Sequence, residues 1–289
     1  MCAARTLALL ATLPLLAPGC SDDGAQPDAD AGPSEAAVPD AVSEGPAPDA
    51  GPTVAPEVDP TPLAVSEWMV AMALSPDPMR DALEQGTVTY PKPGVDSNGM
   101  SWSVRVPDAD GSLGNFPVGA AYAVAKLQLK ASDHLLIRSE PTYRVWVGGT
   151  PYPGDVYASH KISVPLLPQD GENLLVLHIY GRGGKVTGKL WTTPDEVLLN
   201  LDDLTVPDLV VGDSSTLCLG VPLLNLTDEA LLDVDARVVA SGELEGTSVS
   251  YPGLAAGAVT QLAFELKPKQ LTAGDKVEAT LQVQSPSLK

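Results

Sequence analysis

The chain has 289 residues, 44% of them hydrophobic, which suits about two domains of ordinary size with packed cores. Only 19% are charged, and 26 glycines with 28 prolines favour short strands and many turns over long helices. A formal net charge of −20 argues against nucleic acid as a partner, because phosphate binding needs clustered Lys and Arg; it reads as a solvated acidic surface.

In chain order, Met1 to Cys20 have the layout of an export signal: Arg5, then the apolar run Leu7–Leu16, then Ala17-Pro18-Gly19. At about ten residues the apolar run is too short to span a bilayer. Its ending, LLAPGC, resembles a bacterial lipobox, which implies lipidation of Cys20. Ala17 and Pro18 depart from the commoner lipobox residues, so cleavage by ordinary signal peptidase, giving a secreted or periplasmic protein, is the alternative. With Ser21 following, the signal resembles those of outer-membrane lipoproteins of Gram-negative cell envelopes, with the membrane reached through a lipid anchor. Residues 21–62 are rich in Pro, Asp and Ala, and no Lys or Arg occurs between Arg5 and Arg80. Such a segment cannot bury enough apolar surface to order itself, and is expected to be a disordered tether of roughly 35 Å root-mean-square span.

From 63 onward the pattern turns to β. Leu63–Leu74 suits a first strand or an amphipathic helix stopped by Pro76 and Pro78, and MRDALEQG suits one helical turn. Strands are expected near Thr87–Tyr90, Trp102–Val106, Ala121–Leu129, Leu135–Arg138, Tyr143–Val147, His160–Val164, Leu174–Tyr180 and Val186–Trp191. Gly148-Gly149 should turn a hairpin, and Leu174–Tyr180, apolar at nearly every position, should be covered on both faces. A second β-domain, 201–289, should place strands at Asp208–Val211, Leu217–Asn225, Leu232–Ser241, Thr247–Ser250, Val259–Leu266 and Val277–Gln284, with Phe264 as core anchor. No closing strand follows Val277–Gln284, which leaves either an open edge or the front part of something longer. The expected fold is therefore all-β, with two tandem sandwiches: a jelly roll over 63–200, then an Ig-like unit.

The order Tyr122-Ala-Val-Ala-Lys-Leu, Val145-Trp-Val-Gly-Gly, Val164-Pro-Leu-Leu and Gly171-Glu-Asn-Leu resembles galactose-binding-like jelly rolls, with Gly148 where the usual hairpin has Asn. The block PDLVVGD…GVPLLNLT…LLDVDARVVAS resembles CARDB-type Ig-like modules. Together, behind the signal and tether, they resemble the non-catalytic front half of secreted prolyl-oligopeptidase-like α/β-hydrolases. None of the hydrolase catalytic motifs lies in the part that resembles them.

Chemistry-bearing patterns are sparse. There is no GxSxG elbow, and His134, His160 and His178 carry no motif around them. No CxxC or Cys/His cluster supports zinc, and Cys218 in TLCLGV reads as a small buried hydrophobe. Gly181–Gly188 fails the phosphate-loop patterns and reads as a hairpin turn. Asp108 and Asp110 before Gly111 form either an acidic turn or a seat for a structural Ca²⁺, which the jelly-roll resemblance also allows; no other cofactor is indicated. Asn225-Leu-Thr227 matches a glycosylation sequon but reads as a strand end.

Aromatics can stack on sugar faces, and the candidate ligand residues are Trp146, Tyr152, Tyr157, His178 and Tyr180. Tyr152 and Tyr157 lie in a Pro/Gly loop, and alternation sets His178 and Tyr180 opposite Leu175, Leu177 and Ile179. The expected function is a non-enzymatic, monomeric binding or spacer module of the cell envelope, with glycan or peptide as ligand. The alternatives are an accessory part of a secreted serine peptidase or esterase, and a structural or adhesion protein.

Overall fold

The computed structural model describes residues 5–11, 60–96, 99–207, 214–240, 244–269 and 279–288. Lipidation at Cys20, nearly all of the tether and the strand expected at Asp208–Val211 lie outside the described residues. Apart from one helix and one 3-10 turn (Leu201–Asp203), the described regular structure is all β. Strand β1 (Arg5–Ala11) comes first, then β2 (Thr61–Leu63), β3 (Trp68–Met72), helix α1 (Pro78–Gln85), β4 (Gly94–Val95), β5 (Ser101–Arg105) and β6 (Ser112–Asn115). The long strands of the first sandwich follow: β7 (Val118–Leu129), β8 (His134–Glu140), β9 (Thr142–Val147), β10 (Thr150–Pro153), β11 (Val164–Leu166), β12 (Gly171–Arg182) and β13 (Lys185–Thr193). Next come β14 (Val197–Leu199), β15 (Leu217–Asn225), β16 (Leu231–Ala240), β17 (Leu244–Glu245), β18 (Ser248–Leu254), β19 (Val259–Pro268) and β20 (Ala279–Ser285).

The first sandwich is jelly-roll-like. One sheet has seven strands in the order β10-β9-β12-β7-β3-β5-β4; the other joins β11-β8-β13-β2, with β6 also on β13. Strands β7 and β12 pair antiparallel without a break from Leu129↔Gly171 to Val118↔Arg182. Alternation sends Ala121, Ala123 and Ala125 of β7, with Leu175, Leu177 and Ile179 of β12, onto Leu135, Ile137, Leu166 and Val186 of the facing sheet. The alanines let the two sheets approach, while each buried Leu or Ile contributes about 1.5–3 kcal/mol. Gly148 and Gly149, with φ of 53° and 85°, make the two-residue turn that sets Val147 against Thr150.

Several expectations are corrected. Gly183-Gly184 does not close a hairpin, because β12 and β13 belong to different sheets and the turn arches between them. Residues 160–163 are not strand; the strand there is β11. Thr87–Tyr90 forms no strand either, and its Val88 and Tyr90 pack over the seven-stranded sheet. The expected single helical turn is an eight-residue helix with Asp77 as N-cap, Pro78 at its start and Gly86 at φ 66° past its end.

That helix creates a third layer. Met79 and Leu83 of α1 are buried with Met69, Tyr122, Val124 and Trp146, on the face of the large sheet turned away from its partner sheet. The outer positions Tyr122 and Val124 of β7 are sealed by this cover.

The second sandwich pairs the sheets β1-β20-β16-β18 and β14-β15-β19-β17 around Phe264, which is fully buried as expected. Since β14 pairs with β15, this unit takes in Val197–Leu199, just ahead of the expected boundary at 200. Strand β1 pairs antiparallel with β20 at the outer edge of that sheet. Cys218 is exposed rather than buried, because it sits on the outward phase of β15 opposite Glu265. Asn225 is fully buried: its Nδ2 donates to the carbonyls of Glu229, Leu254 and Ala255, and its Oδ1 accepts from Thr227. The sequon is thus a strand-end brace. Leu136, Leu198, Leu224 and Leu226, with Trp191 against them, join the two sandwiches.

Candidate functional site

The helix covers only part of the outer face of the seven-stranded sheet. Register places His178 of β12 between Tyr122 of β7 and Arg144 of β9, and Val176 between Val124 and Trp146. Beyond the edge of α1 this face opens as a cleft of about 530 Å³. Its floor is Tyr143, Trp146 and His178; one wall is Arg80, Leu83 and Glu84 of the helix. The other wall is Gly149 and Pro151 of the β9–β10 hairpin.

The rings form a continuous set. His178 stacks on Tyr122 with centroids 4.7 Å apart and planes 14° from parallel. Tyr143 meets His178 at 5.0 Å and Tyr180 at 4.7 Å, and Trp146 lies 6.5 Å from His178. Tyr143 is the accessible member at 42% exposure, whereas Trp146 is buried.

One carboxylate fixes the helix over this floor. Asp77 Oδ1 accepts from the Arg80 backbone N–H at 3.2 Å, and its Oδ2 accepts from the Tyr122 hydroxyl at 2.7 Å. Burial, reinforced by the bond to Asp77, pushes the Tyr122 hydroxyl well above the usual tyrosine range. Burial likewise holds the His178 imidazole below its ordinary value; Arg144 and Arg80 push the same way and Asp77 opposes them. The imidazole is therefore neutral near pH 7, and its Nε2 is buried without a protein partner. The Arg144 guanidinium lies 5.8 Å over the Trp146 ring.

Of the residues expected at a site, Trp146, His178 and Tyr180 come together here. Tyr152 does not, because β10 turns it into the core between the two sheets. Its hydroxyl accepts from the Leu167 N–H at 3.0 Å, and burial raises its pKa. Tyr157 is 81% exposed on the loop after β10 and does not line the cleft. Asp108 Oδ1 accepts from the N–H groups of Asp110 and Ser112 at 3.0 and 2.8 Å, and the Ser112 bond above all holds its carboxyl below the usual range. Lys185 Nζ lies 3.7 Å from Asp108 and 4.0 Å from Asp110. Among the described residues, no group of three or more His, Cys, Asp or Glu is placed to hold a metal ion.

Sequence reasoning missed Arg144, Arg80 and Glu84. The first stands two positions from Trp146 and so shares its face, a signal that alternation could have supplied. The helical residues meet this face only through tertiary packing. A second unforeseen cluster joins Glu140, Asp155 and His160. Glu140 meets the His160 Nδ1 and accepts its backbone N–H at 3.0 Å, while Asp155 Oδ2 accepts the same N–H at 3.2 Å. The Ser159 hydroxyl donates to Asp155 at 2.9 Å rather than to the imidazole, so it is not set up as an activated nucleophile.

No family model matches the chain, and no curated protein matches it. Among solved structures it is similar to a calcium-binding mutant of Bacteroides uniformis beta-glucuronidase 2, at 12% identity and TM-score 0.34, over 77% of this chain and 30% of that one. A beta-glucuronidase from glycoside hydrolase family 2 gives 11% identity and TM-score 0.34, covering 76% and 28%. A beta-D-mannosidase from Dictyoglomus thermophilum gives 12% and 0.30, covering 74% and 31%. The chain spans less than a third of the length of these proteins, and likeness at this level carries no argument about its activity.

Proposed function

We propose that the chain is a non-catalytic glycan-binding module, and that the cleft beneath α1 is its binding site. The observation carrying this is the accessible Tyr143 ring on the floor of an open cleft with His178 and Trp146, backed by its contact with Tyr180. Sugar rings present apolar C–H faces that stack on such rings, while their hydroxyls reach polar groups at the walls. A glycan suits the cleft better than an extended peptide. Strand β9 at the floor is paired on both sides, by β10 and β12, so it offers no free edge for β-augmentation. On this reading the lipidated Cys20 and the acidic tether display a monomeric module at the cell envelope; maturation at Cys20 would remove β1 and leave β20 as the edge of its sheet. The resemblance to the front half of secreted hydrolases supports an accessory place beside a catalytic domain.

Affinity electrophoresis of the intact chain through gels containing a panel of neutral and acidic polysaccharides tests the proposal. At least one polysaccharide should retard the wild type, and Tyr143→Ala should weaken that binding roughly threefold to tenfold, the weight of one stacking contact. Mobility unchanged in every gel would remove glycan binding.

A further inference from the structure

The cleft is also the place where this acidic chain gathers cations around an aromatic floor. Arg80 and Arg144 both line it, against the single carboxylate of Glu84. Arg80 is loosely held, 3.8 Å from Glu84 and 3.9 Å from Asp81 with all three side chains largely exposed, an arrangement worth little on its own. Arg144 is different. Among the described residues it makes no ion pair, and its contact is the face of Trp146. A guanidinium resting on a ring keeps its N–H edge free, and that edge is shaped to grip a carboxylate through two parallel hydrogen bonds. The register puts Arg144 directly across from His178, so the free fork stands beside the stacking surface. On a chain of net charge −20, this guanidinium beside stacked rings is a local positive site on an otherwise acidic molecule.

We propose that the cleft selects acidic glycans, with the carboxylate of a uronic acid residue held by Arg144 and its sugar ring stacked on Tyr143 beside His178. This deepens the glycan-binding reading and rests on it. Arg80, on the opposite wall, adds a second positive charge facing the same space. Burial is the main reason the His178 imidazole is held low; Asp77 opposes it, and Arg144 and Arg80 then add to the lowering. A bound carboxylate offsets the arginine charges, so the His178 pKa should rise on binding. The overall negative charge repels polyanions from the rest of the surface and makes adventitious electrostatic binding unfavourable.

The test uses the intact chain in affinity gels containing polygalacturonate, alginate or hyaluronan. Each is run beside its carboxyl-reduced counterpart, with polyglutamate as a carboxylate polymer lacking sugar rings. Retardation by at least one uronate, weakened about tenfold or more in its reduced form and in R144Q, is expected, given the strength of a charged hydrogen bond. Equal binding of intact and reduced polymers, with R144Q unchanged, overturns acid selection while leaving glycan binding in place. No retardation by any polysaccharide overturns both. Retardation by polyglutamate alone also overturns the proposal, in favour of an acidic peptide. Circular dichroism of R144Q confirms that any loss is not unfolding, since the side chain it changes is solvent-exposed.

Discussion

The two sandwiches use the same alternation to different ends. In the second, the outward positions of β19 are Val259, Gln261, Ala263, Glu265 and Lys267, those of β16 include Asp235, Arg237 and the exposed Val239, and the inward ones include Leu262, Phe264, Ala236 and Val238. Each outer face can meet water directly, and two layers suffice. In the first, the outward positions of β7 and β12 include Tyr122, Val124, Val176 and His178, which are as apolar as many core sites. Such a face demands a cover, and α1 with the following segment supplies it. Eight helical residues cannot roof seven strands, so the uncovered remainder becomes the cleft. The cleft is thus what remains when a third layer is too short for the face beneath it.

Removing core volume should affect both sandwiches alike and most strongly. L177A and L262A, each at a fully buried position between two sheets, should lose about 2–5 kcal/mol in denaturant unfolding. A near-neutral L177A would mean that the inter-sheet core does not hold the first sandwich. Loosening the third layer should act on one unit alone. D77A removes both the helix cap and the Tyr122 bond, at about 1–3 kcal/mol. Hydrogen exchange should quicken in α1 and not in β15 or β19; equal quickening in both would erase the distinction between the units. A third difference is in pH response. The folded pKa of His178 lies below the ordinary 6.5, so the unfolded chain takes up that proton first as pH falls. Its contribution to stability is complete above about pH 6.5 and is lost progressively below it. Replacing His178 by Phe should flatten that part of the stability profile, and an unchanged slope would show that the imidazole is not held neutral by its surroundings. The smallest effect on stability is expected at Tyr143, where the rings it meets are only partly buried and Y143A should cost about 0.5–1.5 kcal/mol by thermal unfolding while weakening ligand.

Much of this contrast was legible in the residues themselves. The strands β7, β9 and β12, the Gly148-Gly149 turn and the Phe264 core follow from period-two patterning and turn chemistry, which are local. His178 and Tyr180 were placed together because alternation fixes which side chains share a face, whereas Trp146 was named for its aromatic ring alone. Tyr152 was misassigned by its Pro/Gly surroundings, since pairing with β9 and not loop composition decides where it points. The arching of Gly183-Gly184 and the placement of α1 depend on contacts far apart in sequence, such as Asp77 with Tyr122, and no window along the chain contains both partners. For the same reason the cluster of Glu140, Asp155 and His160 gave no sequence signal.

The chain has three histidines, which makes imidazole NMR the most direct measurement of the central claim. With the side-chain nitrogens labelled, titration with a retarding oligosaccharide should move the His178 signals. Those of His134 and His160, which do not line the cleft, should stay in place. Movement of His134 or His160 with His178 unmoved would place the ligand elsewhere and contradict the account.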